Sequence, residues 1–101
     1  MQMLMHVRMP IGPFNAAVRD GSVGRKIQKI LEAIKPRSAY FTARNGHRGG
    51  IFVVDVSASS DLPKLAEPFF LTFDATVEFE PFMTPEDLSR SGLESLGKEW
   101  G

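Results

Sequence analysis

Six side chains able to do chemistry fall on one side of a simple alternation. If the apolar runs are strands, His6, Arg8, Tyr40, Asp55, Glu78 and Glu80 each alternate with the apolar set of their own strand. Side chains of one parity point to one face of a sheet. An imidazole beside a carboxylate is a general base suited to neutral pH. A phenol donates a hydrogen bond to a carbonyl or enolate, and a guanidinium grips a carboxylate through two parallel N–H groups. Grouped together, these residues suit proton transfer or isomerisation on a small organic acid. His6, Tyr40 and Glu78 would then be the catalytic set, and Arg8, Asp55 and Glu80 would bind the ligand. The same residue types also make satisfied pairs, Arg8 with Glu78 or Glu80 and His6 with Asp55, that fix register across strands or across an interface. That structural reading is the simpler one, because nothing in residue type and spacing demands a reaction.

A second candidate is the turn Arg44-Asn45-Gly46-His47-Arg48-Gly49-Gly50. Backbone amides in a glycine-rich turn, with Asn45, His47 and the two arginines Arg44 and Arg48 around them, can hold an anion. The plain alternative is a hairpin that needs glycine for positive φ and carries solvated basic residues. Gly21-Ser22-Val23-Gly24 matches neither the dinucleotide fingerprint nor the P-loop.

Composition removes several classes. The 101 residues carry 12 basic and 12 acidic side chains, two histidines and no cysteine. One domain spanning residues 1–101 is expected at that length. There is no disulfide frame and no thiolate metal site, and two histidines cannot make a three-histidine zinc centre. No motif calls for a metal or a cofactor. Zero net charge and the lack of a basic stripe argue against nucleic acid. The longest apolar runs, Ile51–Val54 and Phe69–Leu71, are far shorter than the ~20 residues of a membrane span. The first residues also lack the apolar core of a signal peptide. A cytoplasmic protein with no membrane association is expected.

The elements that must position these residues follow from periodicity. Met3 to Met9 alternates and ends at Pro10, so it reads as a strand. Phe14, Ala17 and Val18, then Val23, Ile27, Ile30, Leu31 and Ile34, recur at helical spacing. Gly21 and Gly24 mark either a break between two helices or one imperfect helix, and Lys35-Pro36 ends it. Arg37–Arg44 is a second strand. Asn45-Gly46 is a hairpin signal, widened to Asn45–Gly49, and Gly50–Val56 is a third strand. Leu62, Leu65, Ala66, Phe69, Phe70 and Phe73 form a helical face, with Ser60 or Asp61 as cap and Pro68 expected to kink or shorten the helix. Ala75–Phe82 is a fourth strand. Thr84-Pro85-Glu86-Asp87 opens a last helix bearing Leu88, Leu93 and Leu96.

The order β-α-β-β-α-β plus a terminal helix predicts a ferredoxin-like α+β fold: a four-stranded antiparallel sheet with both main helices on one face. One sheet face, from Met5 and Val7 through Ala39, Phe41, Ala43, Phe52 and Val54 to Val77 and Phe79, is wholly apolar and is expected to meet the helices. The other mixes Leu4, Tyr40, Ile51 and Val53 with the ionisable groups named above. Such a half-apolar face suits stacking against a second copy through a two-fold axis, with the terminal helix covering the rim or reaching across. In the monomeric alternative that helix folds over its own sheet. In the expected 4-1-3-2 strand order, His6 and Arg8 lie between Asp55 and Glu78 or Glu80.

In element order and half-polar open face, the chain resembles the dimeric α+β barrel superfamily. That superfamily includes muconolactone isomerase-like enzymes, small cofactor-independent monooxygenases and stress-responsive barrel proteins. Through Tyr40-Phe41-Thr42, Asn45–Gly49, Ala66-Glu67-Pro68-Phe69-Phe70 and Thr84–Leu88 it also resembles a group of short bacterial proteins without an assigned activity. The resemblance implies the fold. With the mixed sheet face it leads to the expectation of a homodimer that binds a small ligand, such as a small organic acid or another anion, or a partner protein in the cavity or rim between stacked sheets. The alternative is a cofactor-independent isomerase or monooxygenase-like enzyme acting on a small organic acid with His6 as general base. No haem-ligand or monooxygenase signature carries a named activity onto these positions.

Overall fold

The computed structural model describes residues 1–101. Strand β1 (Gln2–Arg8) is followed by α1 (Ile11–Asp20) and α2 (Val23–Ile34), the hairpin β2 (Ser38–Arg44) and β3 (His47–Asp55), then α3 (Asp61–Phe73), β4 (Thr76–Pro81), α4 (Pro85–Ser89) and α5 (Leu93–Trp100). The strands form one sheet in the order β2-β3-β1-β4, antiparallel at every pairing. This is the predicted ferredoxin-like α+β fold.

The core lies between the sheet and its helices. Met5, Phe52 and Val54 from the sheet are fully buried against Phe69 and Phe73 of α3, with Ala17 of α1 and Ile30 and Ile34 of α2 completing the cluster. Phe14 stacks on Phe73 at 5.2 Å, and Phe52 meets Phe69 at 5.3 Å. Helix α3 runs on through Pro68 and does not end early there. A mid-helix proline costs about 3 kcal/mol, and the burial of Phe69 and Phe73 beyond it, worth roughly 1.5–3 kcal/mol each, offsets that cost. Phe70 turns outward instead of joining the stripe and is exposed.

Two further expectations are refined. Gly21, at φ 81°, caps α1 and separates it from α2, so the glycine marks a true break. The hairpin is tighter than the widened loop expected: Asn45 (φ 54°) and Gly46 (φ 75°) alone make the turn, and His47 already pairs with Arg44. Two left-handed residues in succession match the twist of the flanking strands, which closes the turn in two residues.

The apolar face is not covered throughout. Helices shield β1, β3 and β4, but Ala39, Phe41 and Ala43 on β2 stay exposed, although Phe41 keeps an edge-on contact with Phe52 at 5.7 Å. β2 is the outer strand, beyond the reach of α2 and α3. The single terminal helix expected is two. Thr84 and Asp87 form a reciprocal cap on α4, with side chain to backbone N–H distances of 3.1 Å each way, and Gly92, at φ 77°, breaks the chain before α5. Neither α4 nor α5 buries a residue. The segment does not close over its own sheet, as the monomeric alternative required: Tyr40 on the open face is 64% exposed. The molecule extends 60 × 28 × 19 Å with a radius of gyration of 17.2 Å, against roughly 13 Å for a compact chain of this length. No helix is long and apolar enough to cross a membrane.

Candidate functional site

Register sets which open-face residues meet. One cross-strand row reads Tyr40–Ile51–His6–Glu78, and the next toward the hairpin reads Thr42–Gly49–Arg8–Thr76. The row on the other side holds Ser38, Val53, Leu4 and Glu80. His6 therefore stands beside Glu78, and its ring reaches diagonally to the next row, where Nε2–H donates to Oε1 of Glu80 at 3.2 Å. The imidazole is half-buried and the carboxylate open. Tyr40 is separated from His6 by Ile51, two strand spacings or roughly 10 Å away.

Asp55 does not join this group. It lies opposite Gln2, at the far end of the sheet, and accepts from Nε of Arg37 at 2.7 Å. The expected His6–Asp55 pair is excluded by register: four residues of β1 separate Gln2 from His6, about 13 Å of extended chain. Arg8 pairs with neither Glu78 nor Glu80. Its strand neighbour on β4 is Thr76, and its Nη2 lies 3.0 Å from Nε2 and 3.1 Å from Nδ1 of His47. Nδ1 is also 3.0 Å from the carbonyl oxygen of Asn45. A carbonyl only accepts, so Nδ1 carries the proton toward Asn45 and Nε2 offers its lone pair to Arg8.

Asn45 thus contributes its backbone to the turn, holding His47 in one orientation. Arg48 projects to the other side of the sheet: Nη1 donates to Oδ1 of Asn15 at 2.7 Å, and the guanidinium lies 4.6 Å from the centre of the Phe14 ring. Its guanidinium is engaged by α1, while Arg48 still borders the cavity at the hairpin end. Arg44 lies on the open face. It pairs with His47 and lines the same cavity as Arg8, His47, His6 and Glu78, a space of about 380 Å³ at the hairpin end of the open face. Alternation with Tyr40 and Thr42 carries Arg44, one of the two arginines of the candidate turn, to this face. Gly49 and Gly50, both buried, form the floor.

The cavity is therefore a basic notch, formed by two guanidiniums and an imidazole that accepts from one of them, with one carboxylate at its β4 side. It can take a negatively charged group in a charge-assisted, two-pronged contact. The carboxylates drawn clearly below their ordinary value sit elsewhere, at turns: Asp20 by the Ser22 hydroxyl and amide, Asp61 by the amides of Ala58 and Ser57, and Asp87 by the amide and hydroxyl of Thr84. No three side chains of metal-ligating type converge anywhere on the chain.

No protein-family model matches the chain, and no curated protein does. Among solved structures it is similar to 5-chloro-2-hydroxyhydroquinone dehydrochlorinase from Burkholderia phenoliruptrix, determined in complex with 2,5-dihydroxybenzoquinone. The TM-score is 0.61 at 14% identity, over 85% of this chain and 97% of that one. At that identity the likeness supports the α+β fold.

Proposed function

We propose that the chain acts as a homodimer whose sheets stack through their open faces, and that the notch at the hairpin end binds a small organic anion. The observation behind this reading is the convergence of Arg8, Arg44 and His47 on one cavity. Leu4, Ile51 and Val53 share the same face as an apolar surface that a second sheet would cover. Covering it would strengthen the guanidinium contacts by excluding water. A cavity of about 380 Å³ lies within the roughly 300–1,000 Å³ usual for small-molecule sites. The absence of cysteine fits a cytoplasmic setting.

The ligand seen with the similar dehydrochlorinase, 2,5-dihydroxybenzoquinone, is a small planar molecule with ionisable hydroxyls and serves as first probe, with benzoate as second. Binding measured by calorimetry is expected to weaken by at least about tenfold in Arg8→Ala and Arg44→Ala. Arg37→Ala, at the far end of the sheet, should bind like the parent chain. Unchanged affinity in both notch variants would overturn the site, and a monomer in sedimentation at micromolar concentration would overturn the stacked pair.

A second reading rests on the His6–Glu80 contact at 3.2 Å, the arrangement of a general base with its orienting carboxylate. In it the protein is a cofactor-independent enzyme acting on a small organic acid, an isomerase or monooxygenase-like catalyst. Glu78 stands beside the base, and Tyr40 is presented from two strands away. Conversion of a bound probe that His6→Ala abolishes, with binding retained, separates this reading from plain ligand binding.

A further inference from the structure

The segment after β4 has an apolar side and nothing against it. Leu93, Leu96 and Trp100 recur at spacings of three and four along one face of α5, and with Leu88 of α4 all are exposed. An eight-residue helix is too short to persist in water on its own, where about 12–15 residues are marginal. The arm implies a surface to pack on.

A surface of matching kind is bare on β2. Ala39, Phe41 and Ala43 lie on the side of the sheet that helices cover elsewhere, and Phe41 is 52% exposed. The arm cannot readily serve its own chain there. It leaves from β4, at the opposite edge of the sheet, three strand spacings or roughly 14 Å from β2, with α3 packed between on the same face. A second copy removes this obstacle. When two sheets stack by their open faces about a two-fold axis along the strands, strand order reverses from one sheet to the other. β4 of each chain then lies at the β2 edge of the other, where its arm emerges. Charge agrees: from Thr84 onward four acidic residues, Glu86, Asp87, Glu94 and Glu99, face only Arg90 and Lys98, and the neutral whole leaves the body with the opposite excess. On the same side of the sheet Arg48 stands opposite Ala43, at one end of the bare strip.

We infer that α4 and α5 form a clasp, exchanged between two copies, whose leucine stripe and Trp100 pack on the helix-side surface of β2 in the other chain. The inference rests on the open-face pairing proposed above. It adds to that pairing a second contact layer on the outside of each sheet.

The cysteine-free chain allows a clean test. Full-length Ala43→Cys and Leu96→Cys variants, distinguished by tags of different mass, are mixed and treated with a short bis-maleimide. The expected product joins one chain of each kind. In parallel, the emission of Trp100, the sole tryptophan, should move to shorter wavelength as concentration rises through the dimerisation range. Leu93→Ser/Leu96→Ser, altered only at exposed positions, should weaken the dimer by at least about tenfold in sedimentation. A sedimenting dimer that yields no mixed product overturns the clasp and leaves the open-face pair standing. The same holds if the doubly substituted Ala43→Cys/Leu96→Cys chain links within itself at a rate independent of concentration. A monomer overturns both.

Discussion

Replacing Gly49 with alanine changes the floor of the notch by one methyl group. Gly49 lies between Arg8 and Thr42 in one cross-strand row. A Cβ there would press into the carbonyl oxygen of Val7, with the Val7 carbonyl carbon at 3.4 Å and Cα of Arg8 at 3.6 Å. These are backbone atoms of a paired strand, so no side-chain rotation relieves the contact, and β1 must move away from β3. Overpacking of this kind costs about 1–3 kcal/mol, and loosening a neighbouring ladder hydrogen bond adds about 1 kcal/mol. The sum of about 2–4 kcal/mol corresponds to a fall in Tm of roughly 10–25 °C for a domain of this size. Thermal unfolding followed by circular dichroism, at one fixed chain concentration, measures it. Because the displaced backbone carries Arg8, affinity for 2,5-dihydroxybenzoquinone should fall as well. A Tm within about 2 °C of the parent chain would refute the claim that close β1–β3 approach requires glycine here.

Other outcomes follow from the same geometry. Gly24→Ala should stabilise the protein by about 0.4–1 kcal/mol, since an added Cβ there meets nothing within 4 Å; a lower Tm would contradict it. Arg37→Ala breaks an exposed pair with Asp55, so urea unfolding should show a loss of no more than about 1 kcal/mol, with binding at the notch unchanged. Asp87 is held below its ordinary value of 3.8, chiefly by the Thr84 amide. A depressed native pKa means the cap contributes above the ordinary value and is lost as pH falls through the native one. The Thr84 amide resonance should therefore titrate with a midpoint below 3.8, and a midpoint at or above that value would contradict the cap.

Local chemistry made the fold legible. Alternation in Met3–Met9, helical spacing in Leu65–Phe73 and the Asn45-Gly46 turn each name one element, and the order of those elements leaves few topologies. Parity then sorted the two faces, and the pairings between strands bear that sorting out. Register was not legible. Alternation places Asp55 and His6 on one face, but the rows they occupy are set by the pairing of β1 with β3, strands joined through two helices and β2, and that pairing puts them four residues apart. The two-residue turn brings Arg48 onto β3 with its guanidinium on α1, and ends β2 with Arg44 opposite His47 on the open face. The continuation of α3 through Pro68 and the bareness of β2 depend on how far helices reach across the sheet, a tertiary property that no single segment encodes.

The uncovered outer strand has a consequence for the life of the chain in a cell. β2 presents free backbone hydrogen-bonding groups along its edge, with Phe41 on one side and Tyr40 on the other, and such an edge is what chaperones, proteases and aggregating strands engage. If copies pair as proposed above, a chain that has not met another would be marked by this edge for removal, and pairing would cover the faces beside it. Abundance would then track assembly: newly made copies in excess of what can pair would be cleared, and the amount that accumulates would be set by the affinity of the chain for itself.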